Sequence, residues 1–251
     1  AKALVNQKIN VDLFSKKKEL KIDRSRTIGI SKTNSDYFNN NIVNIEKLLW
    51  KLKKIEIFSD NLNKDKLINF ESSNEELFSI VKNYKLYEVL KKDLIKNKYF
   101  KKKIFNYTNL SYAKDYELII NCDNFNIFTK KYFNKKIVKN YNSQAFVTII
   151  EHEKILNDTA VQIFTRKGPL AFLPISSDKT SIVYSIDGLR DYTQGNIEEF
   201  IKSYNFKYKI KNLKKIQSFK LVSVNLRSYY HNNILAFGDL LHRVHPLAGQ
   251  G

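Results

Sequence analysis

The sequence predicts a mixed α and β chain. A meander of short strands stands beside further strands, helices and a glycine-bearing loop. Three observations carry this. Between Phe146 and Val224, short runs of β-branched and aromatic residues recur, several of them alternating, as half-buried strands of a meander do. Near the end of the chain, Ile234-Leu235-Ala236-Phe237 has the length and character of a short buried strand, and Gly238-Asp239 then offers a carboxylate at its carboxyl end, where α/β sheets bind ligands. The stretches 42–52 and 75–95 carry apolar residues at helical spacing.

Composition narrows the class. The 251 residues can bury one large core or two small ones. The chain holds no methionine and stops inside a glycine loop, so an internal piece of a longer protein is expected, with a processed mature protein as the alternative. The formal charge is +19, which by reflex suggests nucleic acid or an acidic membrane. Yet only six of the 44 basic residues are arginine, and arginine forks dominate base recognition. Lysine here accompanies asparagine and isoleucine throughout, as a genome-wide bias would produce. No nucleic-acid partner is expected, whereas lysine suits loose attraction to anionic lipid. The single Cys122 excludes an internal disulfide and fits a reducing compartment. No apolar run is long enough to span a bilayer.

Taken in order, residues 1–8 read as the tail of a helix and Val11-Asp12-Leu13-Phe14 as a strand ending at Ser15. Ile42, Ile45, Leu48, Leu49 and Leu52 share one helical face, with Trp50 off it. Ile55–Phe58 and Leu67–Phe70, either side of the polar turn Asp60-Asn61-Leu62-Asn63, predict a hairpin. Glu75 to Ile95 predicts one long helix, and Ile104–Tyr107 and Leu118–Ile120 short strands. The meander follows: Phe146–Ile150, Thr159–Phe164, Gly168–Pro174 and Ser181–Ser185, in which Pro169 and Pro174 bracket a short apolar strand fit to wall a pocket. Ile197–Phe206 predicts a helix and Phe219–Val224 a last strand. Pro246 stops any regular structure begun at Leu240, and Gly249-Gln250-Gly251 lets backbone pass close to a flat or bulky group.

The terminal stretch Gly238-Asp239-Leu240-Leu241-His242-Arg243-Val244-His245-Pro246-Leu247-Ala248-Gly249-Gln250-Gly251 resembles the second flavin motif of the FAD-dependent aromatic hydroxylases. Its ubiquinone-biosynthesis branch reads Gly-Asp-Ala-Ala-His, two residues, then His-Pro-Leu-Ala-Gly-Gln-Gly; Leu240 and Leu241 replace the two alanines. Asp23-Arg24-Ser25-Arg26 and the following Ile28-Gly29-Ile30-Ser31 resemble the segment whose arginine lies against the flavin. The series Ala160-Val161-Gln162-Ile163-Phe164, Gly168-Pro169-Leu170-Ala171-Phe172-Leu173-Pro174 and Ser181-Ile182-Val183 is similar to that branch in particular.

The resemblance implies a flavin-binding, dinucleotide-type domain (1–53, 79–134 and 231–251, without the glycine-rich turn that precedes such a chain) interleaved with a substrate-binding sheet domain (54–78 and 135–230). It implies FAD as cofactor, with Arg26, Gly238, Asp239, Pro246, Gly249, Gln250 and Gly251 binding it, and Ser15, Arg24, Asn83 and Asp123 as further contacts. NADH or NADPH would be the reductant. A phenolic ring, prenylated in this branch, would be hydroxylated by molecular oxygen through a flavin hydroperoxide, in a cytoplasmic protein at the inner face of the membrane that works beside partners of a ubiquinone-biosynthesis complex. Three positions depart from the pattern: Ser15 stands where an acidic residue grips the ribose, Asn124 replaces the glycine of Ala-Asp-Gly, and Ile127 replaces the serine that follows. Asn124 is expected to keep the turn by a left-handed backbone. These departures leave open a non-catalytic paralogue serving in a biosynthetic assembly, and composition leaves open a basic lipid- or nucleic-acid-binding module. Neither a Ser-His-Asp nor a Cys-His system is visible. His242 and His245 lack a third ligand, so no metal site is expected.

Overall fold

The computed structural model describes residues 1–15, 24–60, 65–73, 76–104, 114–188 and 190–243. In chain order these form α1 (Lys2–Asn6), β1 (Val11–Ser15), β2 (Thr27–Ser31), α2 (Lys32–Tyr37), β3 (Trp50–Leu52), β4 (Lys54–Ser59), β5 (Lys66–Glu71), β6 (Phe78–Lys82), α3 (Asn83–Ile95), β7 (Phe100–Ile104), β8 (Ile119–Asn121) and α4 (Ile127–Tyr132). They continue with β9 (Lys136–His152), β10 (Thr159–Thr165), β11 (Gly168–Ser176), β12 (Lys179–Asp187), α5 (Gln194–Tyr204), β13 (Ile210–Leu213), β14 (Gln217–Leu226), β15 (Tyr230–His231), β16 (Ile234–Ala236) and β17 (His242–Arg243).

The chain is mixed α/β and mostly sheet. Strands β17-β14-β9-β12-β11-β10-β4-β5 line up in one sheet, with β13 also on β9. Every pairing in it is antiparallel except β10 with β4. Three smaller sheets complete the fold: β2-β6-β3, the parallel pair β1-β7, and β15-β16-β8 with β16 parallel to β8. The meander and the β4-β5 hairpin lie where alternation predicts them. Gly168 closes the β10–β11 turn at φ +131°, and a Cβ there would sit 2.2 Å from the Ser185 carbonyl oxygen, so only glycine fits.

Both faces of the large sheet carry a packed layer over part of their area. One packs Phe146, Val161, Leu170, Phe172 and Tyr184 against Ile197 and Ile201 of α5. Thr193 starts α5 in a capping box with Asn196. Burial there pushes the Tyr184 phenol up to about 12. The other face packs Ile149, Ala160, Ala171, Leu173 and Ile175 against Leu52 and Ile80, from β3 and β6. Each large side chain fully buried in these layers contributes about 1.5–3 kcal/mol.

Two expected helices are corrected. Residues 42–52 are not one helix: a π-type turn ends at Ile42, Glu46–Leu48 makes a single 3-10 turn, and Trp50–Leu52 is a strand on β6. Asparagines cause this. Asn39 Oδ1 accepts the Ile45 N–H and Asn44 Oδ1 the Glu46 N–H, which takes donors away from a helical ladder. Ile45 and Leu52 are still fully buried, so the apolar spacing marked core residues in the wrong element. Trp50 donates its indole N–H to the Asn157 carbonyl at 2.7 Å. The second correction lies in 75–95. Phe78–Lys82 is a central strand paired on both sides, and the helix begins only at Asn83. A short apolar run such as Phe78-Ser79-Ile80-Val81 fits either period, and two neighbouring strands decide it.

A buried polar network ties β9 to the start of β10. Tyr208 donates to Asn157 Oδ1 at 3.0 Å; Asn157 Nδ2 donates to the Ser176 carbonyl at 2.8 Å and to Thr180 Oγ1 at 3.0 Å. Thr180 Oγ1 lies 3.0 Å from His152 Nε2, and His152 Nδ1 lies 2.7 Å from the Glu153 carbonyl, so the ring proton belongs on Nδ1. Asn157→Ala leaves several of these groups unpaired at once and is expected to cost about 2–4 kcal/mol, read from urea unfolding. A second expectation concerns pH. Lys179 Nζ, 2.7 Å from Glu151, and then Asn212 hold the Glu151 carboxyl at about 2. Its stabilisation is therefore complete above the ordinary carboxylate value of 4.5 and is lost as pH falls toward 2. Because both side chains are about a third exposed, Glu151→Gln should cost no more than about 1 kcal/mol at neutral pH, and the cost should vanish only once the pH lies below about 2.

Candidate functional site

The parallel pair β8 and β16 aligns Ile119 with Ile234 and Asn121 with Ala236, and the Phe237 N–H bonds the Asn121 carbonyl at 2.9 Å. The chain segments leaving these neighbouring carboxyl ends carry Asp123 and Gly238-Asp239. The fold thus brings together two of the expected contacts that lie 116 residues apart in sequence. Gly238 is left-handed at φ +65° and begins a single 3-10 turn, Gly238–Leu240. Leu240 is fully buried with Phe128, Phe133, Leu226 and Ile234, so the leucine that replaces alanine anchors the turn. Asp239 is exposed, and its carboxylate makes no hydrogen bond or ion pair with the described residues. An acceptor held out from a fixed turn suits a ligand that presents hydroxyls.

The Asp123 loop keeps its shape by other means than those expected. Asp123 Oδ1 accepts the Phe125 N–H at 2.7 Å, and Thr129 donates its hydroxyl to the Asp123 carbonyl at 2.5 Å. Asn126 caps α4 by accepting the Thr129 N–H at 2.9 Å and bonds Asn121 at 2.7 Å. The expectation of a left-handed Asn124 is corrected: among the described non-glycine residues only Lys8, Asn142 and Asn232 have positive φ. The Asx turn of Asp123 and the cap at Asn126 set the bend instead. Thr129 supplies a buried hydroxyl that a serine at position 127 does not provide here. Protein around the Cys122 sulfur pushes its thiol pKa up, away from nucleophilic activation.

Arg26 and Asn83 meet across β2 and β6, where the Asn83 N–H bonds the Arg26 carbonyl at 3.1 Å. The Arg26 guanidinium lies 5.5 Å from the Phe219 ring centroid and that of Arg24 lies 5.6 Å from Tyr84. Thr27 bonds Ser181 at 3.2 Å and joins this corner to the large sheet. Ser15 ends β1 on the separate two-stranded sheet. The nearby acid of that strand, Asp12, is committed to Lys103 at 2.6 Å and Tyr116 at 2.6 Å, which hold its carboxyl below the usual range. It does not stand in for the acid missing at Ser15. His242 bonds Asn225 and pairs with β14 rather than entering a loop. Pro246, Gly249, Gln250 and Gly251 lie outside the described residues, as do His245 and Asp23. No cluster of three metal-ligating side chains occurs among the described residues.

A cavity of about 300 Å³ opens between β2 and the large sheet. Gly29, Ala160 and Ala171 leave the room, and Ile55, Phe78 and Leu173 wall it. Ala171 and Leu173 belong to the strand bracketed by Pro169 and Pro174. The amide of Gln162 also faces it and has no partner among the described residues. Gln162 was missed as a site residue, although the alternation Ala-x-Gln-x-Phe already put an amide on an apolar face. Such a cavity accepts a flat apolar ring bearing one hydrogen-bonding group.

The fold is that of FAD-dependent aromatic monooxygenases. Similar solved structures include p-nitrophenol 4-monooxygenase PnpA from Pseudomonas putida DLL-E4, with TM-score 0.74 and 8% identity over 97% of this chain and 70% of that one. 2-Methyl-3-hydroxypyridine-5-carboxylic acid oxygenase gives 0.72 and 12% over 96% and 71%. Aklavinone-11 hydroxylase, solved with FAD and aklavinone, gives 0.70 and 12% over 98% and 55%. In sequence, the chain is 27% identical over 127 residues to ubiquinone hydroxylase UbiL of Rhodospirillum rubrum, covering 44% of this chain and 28% of that protein. No protein-family profile matches. For the turn itself, Gly238→Ala should cost about 1–2 kcal/mol through the left-handed backbone alone, since no atom lies within 4 Å of the added methyl. Asp239→Asn should leave stability within about 0.5 kcal/mol, both measured by urea unfolding.

Proposed function

We propose that this chain is part of an FAD-dependent monooxygenase that hydroxylates the aromatic ring of a polyprenyl phenol in ubiquinone biosynthesis. The observation that carries the reading is the Gly238-Asp239 turn, a carboxylate without a partner among the described residues, held on a left-handed glycine at the carboxyl end of a parallel strand. In this reading residues 1–53, 79–134 and 231–251 hold the cofactor, and 54–78 with 135–230 hold the substrate. FAD, when bound, supplies the oxygen activation, with NADH or NADPH as electron source.

The chain's own residues bind and orient. Asp239 accepts hydrogen bonds from the ribityl hydroxyls. Arg26, Asn83 and Asp123 contact the cofactor from the other elements, with Arg24 and Ser15 at its periphery. Pro246, Gly249, Gln250 and Gly251, outside the described residues, are further contacts in this reading, the last three as backbone N–H donors to its ring. The cavity excludes water around the phenol, and Gln162 bonds its hydroxyl. The lysine surplus favours contact with an anionic membrane surface, and the tail of such a substrate requires it. No described helix is long and apolar enough to cross a membrane.

A second reading, a paralogue that keeps the fold as a non-catalytic partner, is favoured by Ser15 in place of the ribose-binding acid and by Asn124 and Ile127. The absorbance spectrum of the full-length protein separates the two. Flavin bands with oxygen uptake on adding a prenylated phenol support the enzyme; bands without uptake support the partner. A colourless protein that takes up no added FAD sinks the flavin reading. Asp239→Asn should weaken FAD binding about 10- to 100-fold, titrated by flavin fluorescence, because a charge-assisted acceptor is lost.

A further inference from the structure

The cavity does not end at its walls. Paired residues of neighbouring strands share a face, and the registers extend the cavity's face across the sheet in two rows. In the first, Ala171 is opposite Gln162, Gln162 opposite Ile57, and Ile57 opposite Ile68. In the second, Ala160 is opposite Ile55, and Ile55 opposite Phe70. Phe164 stands two residues along from Gln162 on the same face. Ala160, Ala171, Ile55 and Gln162 line the cavity. Beyond them Ile68, Phe70 and Phe164 are 43%, 50% and 41% exposed.

From this we infer that the strip formed by Ile57, Ile68, Phe70 and Phe164 is the track for the isoprenoid tail of the substrate, running from the cavity to the edge strand β5. The inference rests on the aromatic-hydroxylase reading for the identity of the head group in the cavity. Three features select an extended hydrocarbon chain. The strip is apolar, it is continuous with the cavity at Ile55 and Gln162, and it is elongated across the strands. From Ala171 to Ile68 it crosses three strand spacings of about 4.8 Å, about 14 Å in all. The amide of Gln162 sits at the cavity end, where the polar head belongs, and Ile57, Ile68, Phe70 and Phe164 offer no hydrogen-bonding group. On the opposite face of the same strands, Phe58, Val161 and Ile163 are packed in the core.

The test uses the full-length protein and a farnesylated phenol carrying a diazirine on its last isoprene unit. After irradiation and digestion, the expected label lies on Ile57, on residues 66–71 or on Phe164. Excess farnesyl phenol should suppress it, whereas neither the tail-less phenol nor phosphatidylcholine vesicles should. Ile68→Asp with Phe70→Asp, both at exposed positions, should lower the labelling about tenfold or more, because several buried carbons lose their apolar contact. Label elsewhere, or none, overturns the track. Suppression by vesicles as strong as by farnesyl phenol assigns the strip to lipid acyl chains, and a dimer that dissociates on Ile68→Asp assigns it to a second copy; either overturns it. Labelling of the strip in a protein that takes up no FAD leaves the track standing and removes the enzyme reading. Oxygen uptake with label elsewhere does the reverse.

Discussion

Strand β9 carries the architecture. Its 17 residues pair with β14 on one edge and β12 on the other, and its last residues also hold β13. A strand of that length forces a wide sheet, and a wide sheet has two faces that must be covered. Helix α5 covers one, and the small sheet β2-β6-β3 covers the other. That second covering is incomplete, and its gap is the cavity. Alanines at 160 and 171 and glycine at 29 keep the two sheets from filling it, and they are small where the neighbouring core positions are large.

The β8–β16 side depends on a different constraint. Parallel strands cannot be joined by a tight turn, so β8 and β16 come from distant parts of the chain. Their adjacency puts Asp123 beside Gly238-Asp239 without any local signal in either segment. Around this pair the chain has rebuilt what it lacks. Asn126 and Thr129 shape the Asp123 loop, and Leu240 pins the glycine turn in a small core of its own. Ser15 has no such replacement, since Asp12 is held by Lys103 and Tyr116. In the proposed flavin site, the second reading therefore turns on the adenosine end, while Asp239 is left as the acceptor proposed for the ribityl end.

The abundant lysine bears less on architecture than its number suggests. Many of these side chains form exposed pairs with single carboxylates, such as Lys54 with Glu71 and Lys66 with Glu56. Such pairs contribute little to stability and leave a large uncompensated positive field. The apolar strip at β4 and β5 sits in that field, which would favour the encounter with an anionic bilayer that the proposed prenylated substrate calls for.

Much of this was legible in the sequence. Alternation from Phe146 to Val224 located the meander because strands half-buried on a regular sheet impose period two on the chain itself. The turn at Gly238-Asp239 was legible because a left-handed glycine is a local requirement of such a turn. What tertiary structure alone decided is where short apolar runs go. Phe78–Val81 became a central strand because β2 and β3 flank it, and 42–52 broke up because Asn39 and Asn44 took its backbone donors. Gln162 gained its place in a cavity only when β2 was laid over β10. Residue types and spacing determine local preference; the partner across the gap, contributed by a remote stretch of chain, determines which preference is realised and where an empty space is left.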